Sequence, residues 1–303
     1  MPTCLVLGGA GFIGSHLTDA LARAGHRVRV FDRIPPAARG DCEIVTGDFL
    51  NSDDLAKALR GSEVVFHLIS TTLPQASNDN PVHDAETNLL GTLRMLEACR
   101  RERVRKLVFV SSGGTVYGIP RSVPIGESHP TQPTCAYGIH KLAIEKYLHL
   151  EHLLHGLDYR VLRPANLYGE RQRPDLAFGA VTVFLDRALR GEPIRIWGDG
   201  SIVRDYVYVG DAVDAAVNVM TYAGDERIFN IGSGAGTSLN ELVKLIESTI
   251  GRRVAIEYTP RREFDVPLNV LDSSLAQRVL GWRAATPLAT GIRRTYESRR
   301  AGH

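Results

Sequence analysis

"TCLVLGGAGFIGSHLTDALARAG" (residues 3–25) decides the fold. Residues 3–8 are short and apolar and read as a buried strand, and residues 12–25 read as an amphipathic helix stopped by Gly25. Between them Gly8, Gly11 and Gly14 give the spacing G-x-x-G-x-x-G. A glycine turn between strand and helix lets backbone approach a pyrophosphate, and the helix N-terminus favours its negative charge.

The same rhythm continues outward. Residues 26–32, 42–48, 62–68, 106–112 and 158–164 read as further strands with helices between them. Runs this apolar suit strands covered on both faces, and strand–helix alternation implies right-handed crossovers. The expected architecture is α/β, a Rossmann-type doubly wound parallel sheet. Asp32 ends the second strand, where a carboxylate accepts hydrogen bonds from an adenosine ribose diol. That position favours NAD as cofactor; Arg33, whose guanidinium suits a 2′-phosphate, keeps NADP open. After about residue 165 the loops lengthen and gain Pro and Gly. We expect residues 1–165 to form the NAD-binding domain with a Tyr/Lys helix. Residues 166–303 should form mainly a smaller C-terminal α/β substrate lobe, with some chain returning to the first domain. In that lobe Ser238 and Glu241 have capping-box spacing before an apolar stretch.

Composition narrows the function classes. The chain has 303 residues, 44% hydrophobic and 23% charged, with a formal net charge of +2. So small a charge argues against nucleic acid as partner, and the basic run 100–106 suits a solvated helix C-terminus. Four cysteines without a CxxC suit reduced thiols, and no apolar run is long enough to span a membrane. A cytoplasmic enzyme without leader or membrane partner is expected. His149, His152 and His155 spiral around a helix rather than converge, so no metal is expected. There is no G-x-S-x-G elbow for a serine hydrolase. Helix 84–102 carries a stripe of Leu89, Leu93 and Leu96 that reads either as core or as half of a dimer interface.

"YGIHK" places Tyr137 and Lys141 four apart, neighbours on one helix face. An ammonium beside a phenol favours the phenolate; bringing a phenol from about 10 to about 7 takes roughly 4 kcal/mol. An ordinary amphipathic helix would show the same spacing by chance; with the glycine turn upstream, the pair reads as catalytic.

The chain resembles the extended short-chain dehydrogenases/reductases of the nucleotide-sugar epimerase/dehydratase family, the UDP-glucose 4-epimerase type being nearest. The resemblance runs over nearly the whole chain. It rests on "GGAGFIG", "TGDFLN", "HLIS", "TNLLGTLRMLEAC", "VSSGGTVYG", "PTCAYGIHKLAIEKYL", "LRPANLYGE", "GDGSIVRDYVYVGDAV", "FNIGSG" and "REFDVPLNVLD". It implies that Gly8, Gly11, Phe12, Ile13 and Gly14 line the pyrophosphate and that Asp32 and Arg33 meet the adenosine ribose. It implies that Asp48 and Phe49 lie by the adenine, and that Leu68, Asn88 and Ser111 line the cofactor path. Tyr137 and Lys141 would join the nicotinamide ribose. Asn166 matches a residue that touches the substrate phosphates, Arg204 and Arg262 match a diphosphate clamp, and Trp197 matches an aromatic beside uracil. A homodimer is common in the family.

One position departs from the family pattern. Gly113 stands where a serine or threonine hydroxyl is usual. If the strand stays extended, residues 111, 113 and 115 share a face and Thr115 takes the role; if the glycines distort it, Ser112 does, and a water is the third candidate. Family dehydratases carry an Asp-Glu pair where this chain has Gly114 and Thr115, so elimination of water is not expected. The reading is an NAD-dependent nucleotide-sugar 4-epimerase, an isomerase acting on a UDP-hexose through a 4-keto intermediate. A nucleotide-sugar 4-reductase or dehydrogenase is the alternative. A non-catalytic NAD-responsive binding protein is a reading from another class, with Gly113 its only support.

Overall fold

The computed structural model describes residues 1–35, 42–175, 179–262 and 265–301. The first part of the chain runs β1 (Thr3–Leu7), α1 (Phe12–Arg23), β2 (Arg27–Asp32), β3 (Glu43–Thr46), α2 (Ser52–Leu59) and β4 (Val64–His67). Two short helices, α3 (Pro74–Asp79) and α4 (Pro81–Asp84), lead through a π-helical stretch at Ala85–Leu90 into α5 (Gly91–Arg101). Strand β5 (Lys106–Val110), the long helix α6 (Ala136–His155) and β6 (Asp158–Pro164) follow. The later part contains β7 (Asn166–Tyr168), α7 (Ala180–Arg190), β8 (Ile194–Trp197), β9 (Val203–Tyr208), α8 (Val209–Thr221) and β10 (Ile228–Ile231). It ends with β11 (Gly236–Ser238), α9 (Leu239–Ile250), β12 (Ile256–Thr259), β13 (Leu268–Asn269), α10 (Ser274–Leu280) and α11 (Leu288–Ala301).

The main sheet has seven strands in the order β10-β6-β5-β4-β1-β2-β3. Successive pairs from β6 through β3 run parallel, with Leu5 opposite Arg29 on one side and Val65 on the other. The order reverses between β1 and β4, so one crossover goes each way from that point. This is the doubly wound Rossmann-type sheet, and the reversal opens a crevice at the carboxyl ends of β1 and β4. Smaller sheets join β11, β9, β13 and β7, and β12 with β8.

The chain divides into two compact units. The first comprises residues 1–116, 133–163 and 213–229; the second comprises 117–132, 164–212 and 230–303. Beside the division near 165, residues 213–229 of the later chain fall in the first unit, and 117–132, which the expectation had placed in the first domain, fall in the second. In the first unit the sheet contributes Leu5, Leu7, Phe31, Val65, Leu107, Phe109 and Val161 to the core, and helices contribute Met95, Leu96, Ile144 and Leu148. The leucine stripe goes the same way, Leu96 inside that core and Leu89 and Leu93 packed against it. The returning segment is tied down by polar contacts. Arg160, 1% exposed, donates to the Tyr222 and Gly224 carbonyls, and Lys106 Nζ donates to those of Met220 and Tyr222. The second unit has its own core of Tyr168, Phe184, Leu185, Ile194, Ile196, Tyr206, Leu242 and Ile246. There Ser238 and Glu241 form the reciprocal capping box at the start of α9. No helix among the described residues is long and apolar enough to cross a membrane.

Charge is buried in the first unit as well. Arg163 and Glu145, 2% and 3% exposed, form a forked ion pair whose carboxylate also accepts the Ser111 hydroxyl. Removing one partner of such a pair strands the other charge, at about 3–5 kcal/mol. Arg163→Met should therefore lower unfolding free energy by about that amount, read by urea denaturation at pH 7.

Candidate active site

The glycine turn sits at the reversal point of the sheet. Gly8 has φ +84°, a left-handed conformation open to glycine, and its N–H donates to the Phe31 carbonyl at 2.9 Å. Gly14 is needed for contact: a β-carbon there would lie 2.1 Å from the Gly8 carbonyl oxygen. The first turn of α1, with Phe12 and Ile13, has no acidic side chain and no side-chain cap, so its N–H groups are open to an anion. Asp32 braces the turn, accepting the Ala10 N–H at 3.0 Å and the Arg33 N–H at 2.8 Å. Arg33 reaches instead to Asp48, at 3.1 and 3.2 Å. The Leu50 N–H, and after it Arg33, hold the Asp48 carboxyl below the ordinary carboxylate value.

Some expected cofactor contacts turn out to be engaged elsewhere. The Phe49 ring is in the core, 4% exposed, stacked on His67 at 5.4 Å, which leaves only its backbone for a ligand. The Ser111 hydroxyl is spent on Glu145. Asn88 is spent on its own neighbourhood: its Oδ1 accepts the Thr71 N–H at 2.9 Å, and its amide donates to Thr71 Oγ1 and Asp84 Oδ1. Leu68 follows β4, its N–H on the Leu7 carbonyl, and a β-carbon on Gly8 would meet Ile69 at 3.3 Å. The glycine turn and the loop after β4 are therefore in contact.

Tyr137 and Lys141 lie in the first turns of α6. Lys141 Nζ is 5.6 Å from the centre of the Tyr137 ring and 4.8 Å from that of Phe109, and it donates to the Val110 carbonyl at 3.0 Å. Burial lowers the Lys141 ammonium to about 8, against the pull of Asp84 and Glu145. Burial pushes the Tyr137 phenol up to about 12; a hydrogen bond with the Ser70 side chain opposes it, and Cys135 and Asp84 add to the rise. Without a further positive charge the phenol is thus protonated at neutral pH.

The stretch after β5 corrects one expectation. The strand ends at Val110 and the chain turns, with the Thr115 and Val116 N–H groups both on the Ser112 carbonyl. The period of two does not extend to Thr115. A tight contact brings Thr115 to α6 instead: a β-carbon on Gly138 would lie 2.9 Å from the Thr115 carbonyl and 3.1 Å from its Cβ. The Thr115 hydroxyl is buried without a hydrogen-bond partner, while Ser112 is half-buried.

The expected diphosphate and base contacts lie in the second unit. Arg262 forks onto Asp265 at 2.9 and 2.8 Å and stacks 4.2 Å over the Trp197 ring, which is 43% exposed. Arg204 donates to the Val203 and Val266 carbonyls, and burial lowers its guanidinium, with Asp265 opposing. The Asn166 amide donates to the Asp205 carbonyl at 3.0 Å. Trp197, Arg204, Arg262 and Asp265 therefore interact as one cluster. Glu263 and Phe264, in the same motif, lie outside the described residues. His149, His152 and His155, later in α6, have separate partners: Tyr159 for His149, the Leu157 carbonyl for His152 and Arg100 for His155.

Sequence reasoning missed Ser70, Asp84, Gly138, His140 and Asp265. "HLIS" and "YGIHK" contained Ser70 and His140, but nothing in their spacing joins residues so far apart in the chain. Asp265 had a usable signal, an acid three residues after Arg262.

Residues 4–232 match the model of the NAD dependent epimerase/dehydratase family. The UDP-glucose 4-epimerase of Mycolicibacterium smegmatis is 39% identical over 303 residues, covering 97% of each chain. The crystal structure of UDP-glucose 4-epimerase from Thermotoga maritima with UDP-glucose superposes with TM-score 0.94 at 38% identity, covering 99% of each chain. That of the Thermus thermophilus UDP-glucose 4-epimerase complex with NAD gives 0.92 at 34%, covering 99% of this chain and 100% of that one. A UDP-glucuronic acid decarboxylase of Danio rerio is also 31% identical, over 99% of this chain and 73% of its own.

Gly14→Ala tests the turn. The added methyl must push α1 from Gly8, at about 1–3 kcal/mol of overpacking. A fall in melting temperature of several degrees is expected, together with weaker NAD binding by calorimetry.

Proposed function

This chain belongs to the NAD dependent epimerase/dehydratase family, and we propose that it is a nucleotide-sugar 4-epimerase acting on a UDP-hexose, glucose/galactose or a derivative. One observation carries the reading: Tyr137 and Lys141 stand together at the start of α6, in the same unit as the glycine turn. The turn fits the diphosphate of NAD, since Gly14 leaves no room for a side chain and α1 has no cap of its own. Gly8, Gly11, Phe12, Ile13 and Gly14 would hold it, with Asp32 on the ribose. Arg33 is engaged with Asp48, which supports NAD over NADP. When bound, NAD supplies a hydride acceptor for sugar C4 that can return the hydride to either face.

The chain's own groups handle the proton and the position. Tyr137 as phenolate takes the O4 proton and later gives it back. Lys141, on the Val110 carbonyl, supplies positive charge that favours the phenolate and a donor for ribose. For the hydroxyl missing at Gly113 we favour Thr115. Its Oγ1 is a buried donor without a partner, a costly state that a sugar oxygen would relieve. Ser112, half-buried beside it, is the second candidate. Arg204 and Arg262 would grip the substrate diphosphate, with Asn166 and Trp197 at its flanks.

A 4-reductase using the same residues is the second reading, supported by the same tyrosine and lysine. Cofactor retained through purification favours the epimerase. A homodimer is part of the proposal, supported by exposed Leu150, Leu153 and Leu154 on α6. So is a cytoplasmic site of action, which the free thiols of Cys4, Cys99 and Cys135 support.

Incubation with a panel of UDP-sugars tests the reaction. Interconversion of 4-epimers is expected, and Tyr137→Phe should cut turnover by about 10²–10⁴-fold while NAD stays bound. Near-normal turnover in that variant removes Tyr137 from the role. Arg204→Ala and Arg262→Ala should each weaken UDP binding by about 1.5–3 kcal/mol in calorimetry.

A further inference from the structure

Resting on the reading above, we propose that His140 is a positioning residue for the reaction: its imidazole, seated on the buried carboxylate of Asp84, fixes the turn of α6 that carries Tyr137 and Lys141. His140 lies three residues after the tyrosine and directly before the lysine. Its Nδ1 is 2.8 Å from Asp84 Oδ2, with the imidazole 14% and the carboxylate 1% exposed. Burial works against the Asp84 charge, and hydrogen bonds from Ser77, Thr72 and His140 outweigh it, holding the carboxyl below its ordinary value. An ionised carboxylate only accepts, so Nδ1 carries the proton of this bond.

A carboxylate offers about four lone-pair sites. Among the described residues four side-chain donors reach that of Asp84, two at each oxygen: Thr72 at 2.6 Å and Asn88 at 2.5 Å on Oδ1, Ser77 and His140 on Oδ2. The first three come from the loop after β4, the π-helical stretch and α3. His140 is the donor that comes from α6, 56 residues along the chain. Three nearby donors fix where the carboxylate stands, and the carboxylate then fixes where the imidazole stands. Without His140, a buried charge keeps an open acceptor site, an unfavourable state.

The start of α6 depends on such outside support. Its N-cap residue, Cys135, makes no side-chain cap, and the first N–H groups of a helix have no partner within it. Asn78 supplies one contact, its Oδ1 accepting the Ala136 N–H at 2.9 Å. That contact is exposed, whereas the one at His140 is buried. Tyr137 stands between the two, and Lys141 is held just beyond them by the Val110 carbonyl. A general base must stand within hydrogen-bond reach of the proton it takes, and a misplacement of about 1 Å can cost about 100-fold in rate. A second effect points the same way. Burial is the chief obstacle to ionising Tyr137, and the Asp84 charge adds to it. Each donor bound to that carboxylate disperses part of its charge. His140 thus acts on the tyrosine through the helix and through Asp84.

The test compares His140→Ala with His140→Asn in the NAD-loaded enzyme. Asn puts an amide N–H the same number of bonds from the backbone as Nδ1, so it returns the donor. In His140→Ala, kcat should fall by about 10–100-fold with KM for the UDP-sugar and NAD retention nearly unchanged, and His140→Asn should restore most of it. Ultraviolet titration reads the same contact without sugar, taking the Tyr137 phenolate as the difference from the same protein carrying Tyr137→Phe. The charged and titratable groups facing that phenol are Lys141 and Cys135 on α6 and Asp84 at the end of α4. Its midpoint should rise by about 0.5–1 pH unit in His140→Ala and return in His140→Asn. A midpoint that follows the donor in an enzyme that turns over no UDP-sugar leaves the role of His140 standing and removes the proposed reaction. A normal kcat and midpoint in His140→Ala overturn the proposal, as does a loss of kcat that His140→Asn shares or that leaves the midpoint unmoved. Should His140→Ala not fold, His140→Phe, which keeps a ring and drops the donor, takes its place under the same outcomes.

Discussion

The constraint on which the rest depends is the approach of two glycines. The α-carbon of Gly14 sits so near the Gly8 carbonyl that no side chain fits between them. That contact sets the angle at which α1 leaves β1 and turns the helix N-terminus to the sheet's carboxyl edge. The strand order then does the rest. Because β1 and β4 are neighbours from which the crossovers diverge, the loop after β4 is delivered to the same edge. Ile69 touches Gly8, and Ser70 follows one residue on. A backbone contact thus decides which loop lies beside the glycine turn.

The polar interior is arranged around few charges and many neutral donors. Asp84 is enclosed by hydroxyls, an amide and an imidazole, and after burial, which works the other way, their hydrogen bonds hold its carboxyl below the ordinary value. Glu145 is matched by Arg163 and Ser111. Lys141 gains from the field of both carboxylates, which partly offsets the cost of its burial. The same Asp84 field raises Tyr137. A site meant to ionise a phenol therefore needs donors or positive charge near that oxygen.

Periodic features were legible in the sequence, and folded-over ones were not. Strands appear within two residues of their expected ends because apolar runs between turn residues define them locally. The glycine turn and the capping box were readable for the same reason. Expectation failed after Val110, where consecutive glycines abandon the strand geometry that would have aligned Thr115 with Ser111. Nor could the sequence show that the side chains of Phe49, Ser111 and Asn88 are engaged by His67, Glu145 and Thr71, neighbours distant in sequence. Which part of the later chain returns to the first domain was not readable, because a sheet's last strand can come from anywhere in the chain. Nothing local in residues 213–229 marks them as belonging with β6.

That return has a consequence for the order in which the protein can be made. A nascent chain emerges from its N-terminus, and its domains tend to fold as they appear. Here the glycine turn and the α6 pair emerge early, yet the unit that contains them lacks its edge until residues 213–229 follow. Until then β6 is an open strand, and Arg160 has no Tyr222 or Gly224 carbonyl to accept its hydrogen bonds. An unpaired edge beside a guanidinium short of two of its acceptors resists burial. The first unit is therefore built to wait, and a gene cut after β6 would encode the reactive groups without the means to enclose them.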